Sequence, residues 1–173
     1  MKVFINPGHA PNGVPDPGAV NPMSGRRECD IAYQIAQKLK EQLNSMRIMS
    51  EILQSDSLSL ICNSANRSDS DLFVSIHCNA SALHNAKGTE TWYFNNSGNG
   101  RRLAELIHRE IVKDVPGILN RGIKEGSFYV LRNTDMPAVL IETAFIDNPI
   151  DEQLLVNYNN NFARAIAQGI FNY

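Results

Sequence analysis

No apolar run in this sequence approaches the roughly 18–20 residues that a helix needs to cross a bilayer, so membrane insertion is not expected. Cysteine is scarce. Cys29, Cys62 and Cys78 are odd in number and contain no close pair, which argues against a disulfide framework and against a thiolate zinc knuckle. Charge of one sign is also lacking: 16 Lys and Arg against 18 Asp and Glu leave a formal net charge of -2. Such a balance creates no strong field toward nucleic acid or anionic lipid, and Arg101-Arg102 reads as a solvated helix face. The N-terminus has no charged-then-apolar signal pattern, and strand-like sequence begins at Lys2. A product acting outside the cell is therefore expected to leave by another route, or to depend on a signal not present in this sequence. Repeats, linkers and low-complexity segments are absent as well.

What is there suits one globular domain spanning residues 1–173, with 43% apolar and 20% charged residues. The stretch Asp71 to Ala80 organises the reading: Leu72 to Ile76 has the apolar, β-branched and aromatic character of a buried strand and stops at His77. Lys2 to Ile5 repeats the arrangement, opening into Asn6-Pro7-Gly8-His9. The loop 11–27 is rich in Pro and Gly and includes Asp16-Pro17-Gly18, so it is neither helix nor central strand.

Glu28 to Asn44 has Ile31, Ala32, Ile35, Ala36, Leu39 and Leu43 at helical spacing. Glu28 lies in line with that stripe. Favourable interaction with the helix dipole accounts for an acid in the first turn but not for one on the inward face. Cys29, about 100° further round, is the weaker ligand candidate. Strands are expected at 46–52, 88–94 (as an edge), 128–131 and 138–141. Helices are expected at 58–65, 102–112 and 151–171, and His108 is expected to face solvent. Glu142 directly follows Val-Leu-Ile, where an ionised carboxylate resists burial without a partner; an ion pair at a strand end is the plain alternative. Alternating strands and helices predict an α/β three-layer fold, a mainly parallel twisted sheet with helices on both faces. Three candidates end apolar strands and the fourth opens a helix, so all four can meet at one sheet edge.

Two histidines and one carboxylate form a common zinc set with a position left for water or substrate. His9, Glu28 and His77 can supply those ligands, and Glu142 the non-ligating carboxylate that moves a proton. The spacing does not match the His-Glu-x-x-His helix of many metalloproteases.

Pro-Gly-His at 7–9 with Asp-Pro-Gly-Ala at 16–19, Ser-Ile-His-Cys-Asn-Ala at 75–80, Asn-Arg-Gly-Ile-Lys at 120–124, and Met-Pro-Ala-Val-Leu-Ile-Glu-Thr-Ala-Phe-Ile-Asp-Asn-Pro at 136–149 together resemble the zinc-dependent N-acetylmuramoyl-L-alanine amidases of the type 3 family, bacterial cell-wall amidases and phage endolysins. The resemblance runs from Val3 to the last helix. It implies a Zn2+ cofactor on His9, Glu28 and His77, and Glu142 as the catalytic glutamate. Asn79 is implied as a substrate contact, and hydrolysis of the lactyl–L-alanine amide of peptidoglycan in the cell wall as the activity of a monomer. Departures are Asn6 in place of an acid, Ala10-Pro11 after His9, and no arginine between Met49 and Asn66. Three other readings stay open: a zinc peptidase of wall stem peptides, a silent wall-binding domain, and a cysteine hydrolase using Cys78. The last requires adjacent strand residues, which point to opposite faces, to pair.

Overall fold

The computed structural model describes all residues from Met1 to Tyr173. In chain order the elements are β1 (Lys2–Pro7), α1 (Glu28–Ser45), β2 (Met49–Ile52), α2 (Leu58–Arg67), β3 (Leu72–Asn79), β4 (Thr89–Tyr93), α3 (Gly98–Asp114), β5 (Asn120–Glu125), α4 (Tyr129–Arg132), β6 (Ala138–Phe145), α5 (Pro149–Asn157) and α6 (Asn159–Phe171). The strands form one six-stranded sheet in the order β2-β1-β3-β6-β4-β5. All neighbours are parallel except β4 and β6. No helix crosses over between β3 and β4, so β4 starts at the edge that β3 had reached and runs back away from it. The starts of β4 and β5 therefore lie at the same edge as the ends of β1, β3 and β6.

Alternation along the strands sorts the core into two layers. Val3, Ile5, Val74, Ile76, Val139 and Ile141 pack against the long helices α1, α3 and α6. On the opposite face Phe4, Phe73 and Leu140 meet the short helices α2 and α4 through Ile61, Ala65 and Val130. Phe4 and Phe73 stack there with ring centroids 5.9 Å apart. The expected three-layer architecture and mainly parallel sheet are present, with the one antiparallel pairing between β4 and β6.

Several local expectations differ from the structure. Phe128–Leu131 gives the single turn α4, since its amides fold back on Phe128 instead of reaching a strand; a four-residue apolar run is ambiguous between the two forms. Residues 120–125, too polar to read as a strand, form the edge β5, and β4 is interior. The last helix is two, broken at Tyr158. β3 runs three residues and β6 four residues past the expected apolar stretch, so His77 and Glu142 are strand residues in register, not residues beyond strand ends.

His108 is buried rather than solvent-facing. Its ring bonds Thr91 Oγ1 at 3.1 Å and Asn120 Oδ1 at 2.8 Å, joining α3 to β4 and β5. Its charged neighbours in sequence, Arg109 and Glu110, hid this. Burial pushes its pKa below the usual imidazole range. His108→Ala deletes packing and orphans two polar partners, so urea unfolding is expected to show a loss of roughly 2–4 kcal/mol.

Candidate active site

The Pro7-Gly8-His9 stretch works through space rather than sequence. Gly8 donates its amide to Ile76 O at 2.9 Å, continuing the β1–β3 pairing. A Cβ on Gly8 would lie 2.4 Å from the His77 ring, so only glycine lets the two strands close at this point. His9 then adopts φ 66°, a left-handed backbone that turns its side chain back over the sheet edge. Asp16 accepts from His9 Nδ1 at 2.7 Å through one carboxylate oxygen and from the Gly18 amide at 2.9 Å through the other. The His9 proton is thereby fixed on Nδ1, and Nε2 faces the centre of the site. Asp16 is a site residue that sequence reasoning missed; the Asp16-Pro17-Gly18 turn was the available signal.

Glu28, at the first turn of α1, is 4% exposed. Its Oε2 lies 2.9 Å from His9 Nε2, and its Oε1 lies 2.9 Å from His77 Nδ1. The Ala19 and Cys78 amides donate to the same two oxygens at 2.8 and 3.0 Å. Gly18 must also be glycine, since a Cβ would stand 2.4 Å from His9 and 2.6 Å from Glu28. Ligand atoms of His9, Glu28 and His77 all lie within 4.8 Å of one another, a donor set suited to a divalent cation of borderline softness.

The electrostatics agree that positive charge belongs here. Burial opposes ionisation of Glu28, yet the two imidazoles hold its pKa down at about 2. Burial likewise opposes protonation of His9, but Glu28 and Asp16 together raise its pKa to about 9. The pocket thus binds a proton strongly where a metal ion would carry more charge.

Glu142 sits beside His77 across the β3–β6 ladder. Its Oε2 is buried without a hydrogen-bond partner. Burial is the main cause of a pKa raised to about 7; His77 counters it, while Glu28 and Glu90 add to it. Glu90, unnoticed in the sequence, pairs with Glu142 across the β4–β6 ladder. Arg121 and Lys124 neutralise it and depress its pKa despite burial. Asn79 donates to Glu90 Oε1 at 3.1 Å and accepts from the Ala80 amide. Asn6, where an acid was noted as usual, is buried and bridges Ser75 Oγ to the Leu53 carbonyl.

The cysteines stand apart. Cys78 points to the opposite sheet face against Thr143, and burial drives its thiol pKa well above the ordinary range. That leaves no thiolate for nucleophilic attack. Cys29 is buried, with its thiol directed at Asp30, outside the triad.

A cavity of about 290 Å³ adjoins the triad, lined by His9, His77, Leu58, Phe128, Tyr129 and Leu140 among others. Buried charge, an unpartnered acid and an adjoining cavity at strand ends describe a candidate hydrolase active site, with a donor set suited to a metal ion, on an α/β scaffold. The model of the N-acetylmuramoyl-L-alanine amidase family matches residues 3–172, and the chain belongs to that family. Over 99% of its length it is 35% identical to the amidase LytC of Bacillus subtilis, of which it spans 35%. It is 37% identical to the endolysin of Bacillus phage SPP1, spanning 64% of that protein. A crystal structure of an amidase from Clostridium difficile 630 superposes with TM-score 0.92 at 38% identity, covering 99% of this chain and 95% of that one.

The raised pKa of Glu142 sets a stability test on metal-free protein. The carboxyl titrates near 7 folded against about 4.5 unfolded, so burying it costs nothing below pH 4.5 and costs most above pH 7. Glu142→Gln removes that charge. Urea unfolding should find the variant more stable by up to about 3 kcal/mol at pH 8, with the difference vanishing near pH 4.

Proposed function

We propose that this chain hydrolyses the amide joining the lactyl group of N-acetylmuramic acid to L-alanine in peptidoglycan, with residues 1–173 as one monomeric catalytic domain acting in the cell wall. The observation that carries the reading is the buried, unpartnered Glu142 oxygen in register beside His77, next to three converging ligand atoms. No helix is long and apolar enough to cross a membrane. The chain is about a third as long as the LytC relative and about two-thirds as long as the phage endolysin.

His9 Nε2, a Glu28 oxygen and His77 Nδ1 would hold the metal, for which zinc suits the donors. Zinc, when bound, supplies a Lewis acid for the scissile carbonyl and lowers the pKa of a coordinated water. Asp16 keeps His9 in the ligating tautomer, and the Ala19 and Cys78 amides hold Glu28 in place. Glu142 takes the proton of the attacking water on its free Oε2. It then returns that proton to the alanine nitrogen as the amide breaks, giving a free amine and a lactyl carboxylate. Burial that favours the protonated form of this carboxyl suits it to both transfers. Asn79, half-buried on the same sheet face, is the side chain we assign to a polar group of the substrate.

Glu142→Gln keeps shape and removes the base. Digestion of purified peptidoglycan should release alanine amino termini at least about a hundredfold more slowly, with zinc content preserved. Glu28→Ala should lose the metal instead. New termini other than alanine would assign the peptidase activity and refute the amidase reading.

Chelation is expected to loosen the loop 11–27, which His9 and Glu28 flank, and to leave α1 protected. Hydrogen exchange with and without chelator measures both. Uniform loss of protection over Ile31–Leu43 would show that the metal holds the whole fold.

A further inference from the structure

Arg121 and Lys124 are three residues apart in β5, a separation that places side chains on opposite faces of a regular strand. Here both reach the same carboxylate. The ladder shows why: Thr89 pairs with Asn120 but Thr91 with Ile123, so β5 spends three residues where β4 spends two. The extra residue is accommodated at Gly122, whose φ of 81° is left-handed. Past this bulge the alternation resumes on the other beat, and Arg121 and Lys124 share the face that carries Glu90 and Trp92.

Both cations are also held. Arg121 lies 5.0 Å over the Phe145 ring and Lys124 lies 5.2 Å over the Trp92 ring. Each donates to Glu90 Oε2. Two cations on one buried acid leave a net positive charge, and each side chain remains 33% exposed. Side chains fixed in advance lose little entropy on meeting a ligand.

The cluster lies on the same face and edge as His77 and Glu142, two strand spacings from β6. That is roughly 10 Å of backbone separation, less the reach of two long side chains. An extended peptide covers about 7 Å in two residues. The neighbouring cavity differs in chemistry, its surface mostly apolar and lined by Leu58, Phe128, Tyr129 and Leu140 among others, with Phe128 packed edge-on against Trp92. Of the two ends of a muramyl peptide, the sugar ring carries no charge. The peptide end carries carboxylates, the first being the α-carboxyl of the γ-linked D-glutamyl residue that follows L-alanine.

We propose that Arg121 and Lys124, brought to one face by the Gly122 bulge, form a subsite for the carboxylate of the second stem-peptide residue and so orient the peptide end of the substrate toward β5. The inference rests on the amidase reading. It makes the charge state of that residue a specificity determinant, since amidation of the carboxyl removes the ion-pair partner.

The test compares turnover of muramyl-L-alanyl-D-glutamate with that of muramyl-L-alanyl-D-isoglutamine by the zinc-loaded protein, Lys124→Met and Arg121→Gln. Each single variant leaves Glu90 one cationic partner, which protects the fold. The parent should prefer the free carboxylate by about tenfold in kcat/KM, the lower end for a charge-assisted contact at a half-exposed site. Either variant should bring the ratio toward one. A parent that treats both substrates alike overturns the subsite. So do variants that slow both substrates equally and keep the ratio, because that pattern marks a merely structural role. If the parent cleaves neither, the amidase reading fails separately. Calorimetric titration with L-alanyl-D-glutamate and L-alanyl-D-isoglutamine then decides the subsite, and equal affinities would remove it.

Discussion

Everything at the active edge depends on one carboxylate held out of water. Glu28 is gripped by two backbone amides and faces two imidazoles. Each amide comes from a different part of the chain, Ala19 from the first loop and Cys78 from the central strand. A buried carboxylate so arranged is costly unless every partner stays in place. Its demand for partners therefore fixes the ends of the loop, the start of α1 and the end of β3 relative to one another. Positive charge between the rings completes the arrangement, whether as a proton or as a metal ion.

The second determinant is topological. Because β4 returns antiparallel, strand starts and strand ends gather at one edge. This brings Glu90 and Glu142 opposite each other, two acids in neighbouring strands. Cations bonded to Glu90 draw it down, while burial outweighs the pull of the nearby imidazoles on Glu142, and their pKa values part accordingly. Separation of this kind leaves one acid as a fixed charge and the other free to exchange a proton.

Much of this was legible in the residues. The stripe of α1 has helical periodicity, the run Leu72–Ile76 has the β-branched and aromatic character of a buried strand, and the acid on the inward face of α1 was a visible anomaly. His9 and His77 could be placed because each closes an apolar run. Less could be read where a side chain's surroundings come from distant sequence. His108 is flanked by charges along its helix, yet it bonds two strands. Asp16 looks like an ordinary turn former, and Glu90 like the polar beat of an alternating strand. β5 escaped notice because Ile123 is its one side chain packed on the core, while Arg121 and Lys124 answer to Glu90. A bulge leaves no periodic trace at all, so the shared face of Arg121 and Lys124 could be seen only in the fold.

The two faces of the sheet are covered unequally. Three long helices shield one, while the other has a ten-residue α2 and a single turn, α4. The helix α2 spans only about 15 Å, and the catalytic row lies on the face that these short elements cover. A closed pocket must be entered end first, so it favours small, free molecules. A cleft bare along its length can be laid against a strand of mesh tethered at both ends. Under the amidase reading, the shortness of these two helices leaves the sheet edge open to an extended, tethered substrate.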